Sequence, residues 1–169
     1  QASALGSGPV TVDAGATLEI DNVPLTTGGL TLGGSGVSGT GALRGRGSAG
    51  HTGTVTLATA SAIGAATLTD TLSLNNPVTG LGLTKVGSGT VNLSGSNNYV
   101  GGTAIEAGKL RLLGGATLPS LGAVNLTGSG ILDLNNTNQS IGDLAGTVGT
   151  RIDLGSGDLT VTQAAAGSF

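Results

Sequence analysis

Along this chain the hydrophobic residues come in threes: one aliphatic, one polar or small residue, one aliphatic. Val10-Thr11-Val12, Leu18-Glu19-Ile20, Leu30-Thr31-Leu32, Val55-Thr56-Leu57, Leu72-Ser73-Leu74 and Leu81-Gly82-Leu83 follow this rule. So do Val91-Asn92-Leu93, Leu110-Arg111-Leu112, Val124-Asn125-Leu126, Leu132-Asp133-Leu134, Ile152-Asp153-Leu154 and Leu159-Thr160-Val161. Alternation of period two predicts strands with one buried face. The triplets recur at half or all of roughly 20 residues, the range of solenoid repeats. Between them lie Gly87-Ser88-Gly89, Gly95-Ser96-Asn97-Asn98 and Gly101-Gly102, residues that supply the positive φ of tight corners. A strand this short cannot stand alone, so each must stack on another. The pattern predicts an all-β stacked coil of about eight irregular rungs, a rod on the order of 40 Å long.

Helix is nearly excluded on the same pattern. No window keeps an i, i+3, i+4, i+7 apolar stripe free of glycine, and each internal glycine costs about 1 kcal/mol against alanine. The most helix-permissive piece, residues 163–166, is too short to persist. Composition sharpens the picture. Thirty-four of 169 residues are glycine, 37% are hydrophobic and only Tyr99 and Phe169 are aromatic. A sandwich or barrel core needs more bulk, whereas the narrow interior of a solenoid is filled by aliphatics. Residues 1–9 read as a small, polar lead-in and residues 10–169 as one solenoid. Residues 33–53 are the glycine-densest part, with weaker strands around Val37 and Ala42-Leu43. They read either as a turn-rich rung or as a protruding loop.

The net charge is −3, and the six cations, Arg44, Arg46, Lys85, Lys109, Arg111 and Arg151, are scattered along the sequence. Without a basic stripe, nucleic acid is not an expected partner. No apolar run nears 18 residues, so no membrane insertion of this segment is expected. The chain has no cysteine and begins at Gln1. That combination suits a secreted, processed chain or an excised fragment, and passage through a periplasm without disulfide trapping.

Candidate chemistry is sparse. Asp133 and Asp153 each occupy the middle of a triplet and so could stack as a carboxylate pair, but no base, nucleophile and orienting group converge with them. His51 reads as a lone exposed histidine, too few ligands for a metal. Two G-x-G-x-x-G strings, Gly34/Gly36/Gly39 and Gly45/Gly47/Gly50, open no helix and read as turns. The stretch from Asp133 lacks the glycine and the glutamate of a calcium loop, with Asn138 and Leu144 in their places. Asn75-Asn76, Asn97-Asn98 and Asn135-Asn136 read as corner ladders whose amides pair between rungs. Thr11, Thr31, Thr56 and Thr160 alternate with charged residues at equivalent places, which breaks any regular threonine lattice. No catalytic, metal or cofactor-binding residue is expected, and no cofactor.

Residues 83–112, LTKVGSGTVNLSGSNNYVGGTAIEAGKLRL, resemble the passenger-associated repeat of bacterial autotransporters. Leu83, Thr84, Lys85, Gly87, Gly89, Thr90, Leu93, Ser94, Gly95, Asn97, Tyr99, Gly101, Gly102, Thr103, Gly108 and Leu110 fall in register with it. Residues 131–161 resemble the segment that follows in such passengers. The resemblance implies a single right-handed parallel β-helix, extracellular or on the bacterial cell surface, and it implies corner packing for Tyr99. A non-enzymatic structural rod is the expected function, with two versions. One is an adhesin stalk segment that meets a host or neighbouring cell surface. In the other, copies stack head to tail into a homo-oligomer or filament, with Val10, Val12, Leu159, Val161 and Phe169 at the stacking faces. A polysaccharide-acting β-helix enzyme is the remaining alternative.

Overall fold

The computed structural model describes residues 5–163. The first coil carries β1 (Pro9–Val12), β2 (Leu18–Asp21) and β3 (Pro24–Leu25), and the second β4 (Gly29–Leu32), β5 (Leu43–Arg46) and β6 (Ser48–His51). The third carries β7 (Val55–Leu57), β8 (Ser61–Ala65) and β9 (Thr71–Leu74), and the fourth β10 (Val78–Gly80), β11 (Leu83–Val86) and β12 (Thr90–Leu93). The fifth has β13 (Thr103–Ile105) and β14 (Lys109–Leu112), the sixth β15 (Val124–Leu126) and β16 (Ile131–Asp133). The seventh has β17 (Gln139–Ile141), β18 (Leu144–Gly146) and β19 (Arg151–Asp153), and β20 (Leu159–Val161) opens the eighth.

Strands from successive coils stack in parallel on three walls. The second wall is β2-β5-β8-β11-β13-β15-β18 and the third is β3-β6-β9-β12-β14-β16-β19. The first wall runs β1-β4-β7-β10, is interrupted for two coils, and resumes as β17-β20. The chain is therefore a parallel β-solenoid of about eight coils, as the triplet pattern predicts. Among the described residues the only helical piece is a 3-10 turn at Val37–Gly39.

Columns of inward side chains fill the bore. On the third wall Leu72, Val91, Leu110 and Leu132 stack in register, all fully buried. On the second wall the column runs Leu43, Ile63, Lys85, Ile105, Leu126. Each fully buried aliphatic side chain contributes about 1.5–3 kcal/mol, which is how strands of three or four residues persist.

Two local expectations change. Residues 33–53 form a rung: β5 and β6 belong to the second and third walls, while residues 33–42 make the wide corner ahead of them. Val37 lies in the 3-10 turn and is 54% exposed, so no strand forms there. At the fourth coil the strand is Leu83–Val86 rather than the triplet starting at Leu81, which is exposed at the corner. The alternation that buries Leu83 also turns Lys85 inward.

The interruption of the first wall has a cause in one residue. Ser96 pairs Thr117, and Thr103 pairs Val124, so the two coils keep step across the gap without an insertion. Asn97 N–H reaches the Thr117 carbonyl at 3.1 Å, which would make the Pro119 carbonyl the next acceptor, for the N–H of Tyr99. Pro119 has no N–H to return to the ladder. Its carbonyl instead accepts from Gly122 N–H at 2.9 Å, closing a turn that swings Ser120 and Leu121 outward.

Candidate functional site

The break leaves an open groove of about 620 Å³ on the first wall. Side-chain amides replace the backbone ladder at its margins. Asn97 Oδ1 accepts from Val78 N–H at 2.8 Å, and Asn97 Nδ2 donates to the Thr117 carbonyl at 3.0 Å. Gln139 Oε1 accepts from Leu118 N–H and its Nε2 donates to the Ala116 carbonyl, both at 2.9 Å. Both side chains are buried. The expected asparagine ladders take this form elsewhere too, since the amides reach backbone across coils rather than one another. Asn136 Oδ1 accepts from Ser156 N–H at 2.9 Å, and Asn76 Nδ2 donates to the Thr52 carbonyl.

Tyr99 closes the floor of the groove. It is fully buried, and its hydroxyl shares a 2.7 Å hydrogen bond with Thr103 Oγ1. Burial pushes its pKa well above the ordinary tyrosine value. Corner packing is the role the resemblance implies, and the geometry matches it. The rim is apolar, because Leu81, Val100 and Leu121 project from the same corner of successive coils at 43%, 75% and 86% exposure. The groove lining contains no charged residue.

The expected stacking residues lie in the outermost strands of the first wall. Val10 and Val12 are in β1, Leu159 and Val161 in β20, and Phe169 lies outside the described residues. All four described side chains point into the bore and pack against its core. No strand pairs the outer edge of β1 or of β20 among the described residues. Along β1, Gly28 N–H donates to the Gly8 carbonyl and Gly33 N–H to the Val12 carbonyl. Alternate residues of a parallel ladder address opposite neighbours. Thr11 therefore carries the free backbone groups at that end, a residue the triplet pattern did not single out.

Two ionisable residues replace aliphatics in the inner columns. His51, expected to be exposed, is fully buried between Leu25 and Leu74. Its Nδ1 lies 3.2 Å from the Leu25 carbonyl, while Nε2 has no partner among the described residues. Burial lowers its pKa, so the neutral imidazole is the native form. Lys85 is fully buried between Ile63 and Ile105. Its Nζ donates to the carbonyls of Val86, Gly87 and Ala107 at 2.7–2.9 Å, with no carboxylate among the partners. Burial draws its pKa down to about 7, while three carbonyls match the three donors of an ammonium. Gly87, at φ +74°, turns its carbonyl onto that amine, and a Cβ there would collide with the Ala65 carbonyl oxygen. Gly108, at φ +64°, leaves room for that same Gly87 carbonyl, so Lys85, Gly87 and Gly108 form one corner device.

The remaining cations are gathered rather than scattered. Arg44 lies 3.3 Å and Arg46 3.7 Å from Glu19 on the second wall. On the third wall Arg111, Asp133 and Asp153 stack in register, with Lys109 and Arg151 beside them. The carboxylate pair does form, but as an ion-pair ladder. Burial pushes the Asp133 carboxyl up, and hydrogen bonds from Arg111, Lys109 and Asn135 N–H outweigh that and hold its pKa below the carboxylate range. Such an anchored anion has no proton to donate near neutral pH. The charged triplet centres sit on the second and third walls, which leaves Thr11, Thr31, Thr56 and Thr79 in an unbroken file on the first. The expected interruption by charge is not there; the file ends instead at the groove.

Comparison with known proteins bears on this geometry. Residues 83–112 match the family model of the passenger-associated-transport-repeat, the coil that contains Lys85, Gly87, Asn97, Tyr99 and Gly108. The chain carries an autotransporter passenger repeat. A curated relative, an adhesin autotransporter (BmaC) of Brucella suis biovar 1 (strain 1330), is 38% identical over 111 residues, covering 59% of this chain. The chain spans 3% of that relative's length. No solved structure matches. Within the matched segment three polar residues have structural work in this chain: Lys85 fills a carbonyl cage, Asn97 bridges two coils and Tyr99 floors the groove.

Proposed function

We propose that this chain is a length of a non-enzymatic, surface-displayed adhesin stalk, a stiff spacer built from stacked coils. The observation that carries the reading is the passenger repeat at residues 83–112 set within an uninterrupted second and third wall. Its similarity to an autotransporter adhesin supports the same setting, outside the cell. A stack held by backbone ladders in every coil, with ion pairs on its outer face, suits a spacer better than a catalyst. The test is surface display of the chain on a non-adherent bacterium, fused to an outer-membrane anchor. Retention on cultured cells above that of the anchor alone is the expected outcome. Equal retention would reduce the chain to a spacer without adhesive contacts of its own.

A second reading, in which copies stack end to end, draws on the outer edges of β1 and β20, which no strand pairs among the described residues. Backbone groups at one end pair with those at the other, and such a head-to-tail contact does not close on itself. In that reading Val10, Val12, Leu159 and Val161 continue their columns across the junction. Proline at Thr11 blocks the free edge while removing no ladder hydrogen bond inside the chain. Concentration-dependent filaments in electron microscopy that Thr11→Pro abolishes are expected. Rods of one length at every concentration would exclude self-stacking.

A further inference from the structure

The groove in the first wall has the electrostatic character of a missing strand. Coil six lies between coils five and seven; its turn from Pro119 to Gly122 swings Ser120 and Leu121 out of the ladder before Gly142 N–H meets the Gly122 carbonyl at 2.9 Å. In β17, Gln139 N–H donates to the Asp158 carbonyl and the Ile141 carbonyl accepts from Thr162 N–H, both on the side of the eighth coil. Ser140, between them, therefore turns its N–H and carbonyl toward the groove. Neither has a backbone partner among the described residues, and Ser140 is exposed. The N–H groups of Ser120 and Leu121 are likewise without one. Val100, Pro119 and Leu121 line the same space, and no charged residue does.

We propose that this groove is a docking site for an extended, uncharged peptide segment of a partner protein, which adds to β17 as a strand. Its backbone supplies the alternating donors and acceptors that Ser140 lacks, and its apolar side chains cover Val100 and Leu121. A sugar would need an exposed aromatic face, and Tyr99 is buried; a charged segment would lose its hydration against a neutral wall. The inference goes beyond the stalk reading and does not depend on it, because it concerns one face of one coil.

The probe is a blocked, fluorescein-labelled pentapeptide of alternating valine and threonine, titrated against the full chain by anisotropy. Saturable binding is expected, weakened at least tenfold when alternate peptide nitrogens are methylated. Ser140→Pro, which removes the groove-facing donor and no ladder bond, and Leu121→Lys, on the exposed turn, should each weaken it by a similar factor at an unchanged thermal midpoint. No binding at millimolar peptide overturns the proposal. So does binding that N-methylation leaves unchanged, which is apolar adhesion without strand pairing. Self-association of the chain that Leu121→Lys abolishes would assign the groove to a second copy and overturn it equally.

Discussion

Lys85 and His51 are the residues where the aliphatic columns are broken by chemistry, and their protonation couples to folding. Burial lowers the His51 pKa below its ordinary 6.5, so below that pH the unfolded chain binds a proton that the folded chain refuses. Stability therefore falls as pH drops from 7 to 5. His51→Leu, completing the Leu25–Leu74 column, should remove that sensitivity and add about 1 kcal/mol by eliminating the orphaned Nε2; urea titrations at several pH values check it. Lys85 has the same sign in a higher window. Its pKa is drawn from 10.5 to about 7, so the folded chain releases a proton that the unfolded chain keeps, and stability rises with pH between those values. Lys85→Met keeps the stem but leaves three carbonyls without a donor. A loss of about 2–4 kcal/mol is expected, with the pH dependence in that window gone. Gly87→Ala should cost at least about 2 kcal/mol through its positive φ and the Ala65 carbonyl. None of these roles follows from alternation alone. A lysine or histidine reads as an outward residue until the register is known: Lys85 shares the inward face of Leu83, and His51 pairs with Leu25 and Leu74.

At the scale of the strand, almost every aliphatic triplet became a strand and almost every glycine cluster a corner, because period-two burial is a local property. The rung at residues 43–51 was harder to read, since Arg44, Gly45 and Gly50 dilute its alternation and the neighbouring coil supplies the packing. The groove was not legible at all. Its cause, Pro119, reads locally as a corner, and only the register around it shows that a strand was due there. Asn97 and Gln139 hold the margins of that break. Asn97→Ala or Gln139→Ala should each cost about 1–3 kcal/mol by leaving buried backbone groups unsatisfied. Hydrogen exchange should report it locally, with faster exchange of the Val78 amide in the first variant and of the Leu118 amide in the second. Loss of protection spread evenly over all coils would contradict this assignment.

Across the whole molecule each coil touches only its neighbours, so stability is a sum along a line. The middle coils hold the fully buried columns, whereas Leu144, Ile152, Leu159 and Val161 near the C-terminal end are only partly buried. Exchange protection should therefore be highest in β8 to β14 and fall toward β18 to β20, an order that native-state hydrogen exchange reads directly. On the third wall Asp133 is buried and bonded by Arg111, Lys109 and Asn135 N–H, so Asp133→Asn should cost about 1–3 kcal/mol. The strands also run across the long axis of the rod while their ladder hydrogen bonds run along it. A pull on the two ends therefore opens ladders one after another, like a zip, instead of shearing many at once. Each coil of about 20 residues adds roughly 65 Å of extended chain in exchange for about 4.8 Å of rod. A tether made this way yields by lengthening: it sheds load coil by coil, and each opened coil can wind back onto the face left by its neighbour.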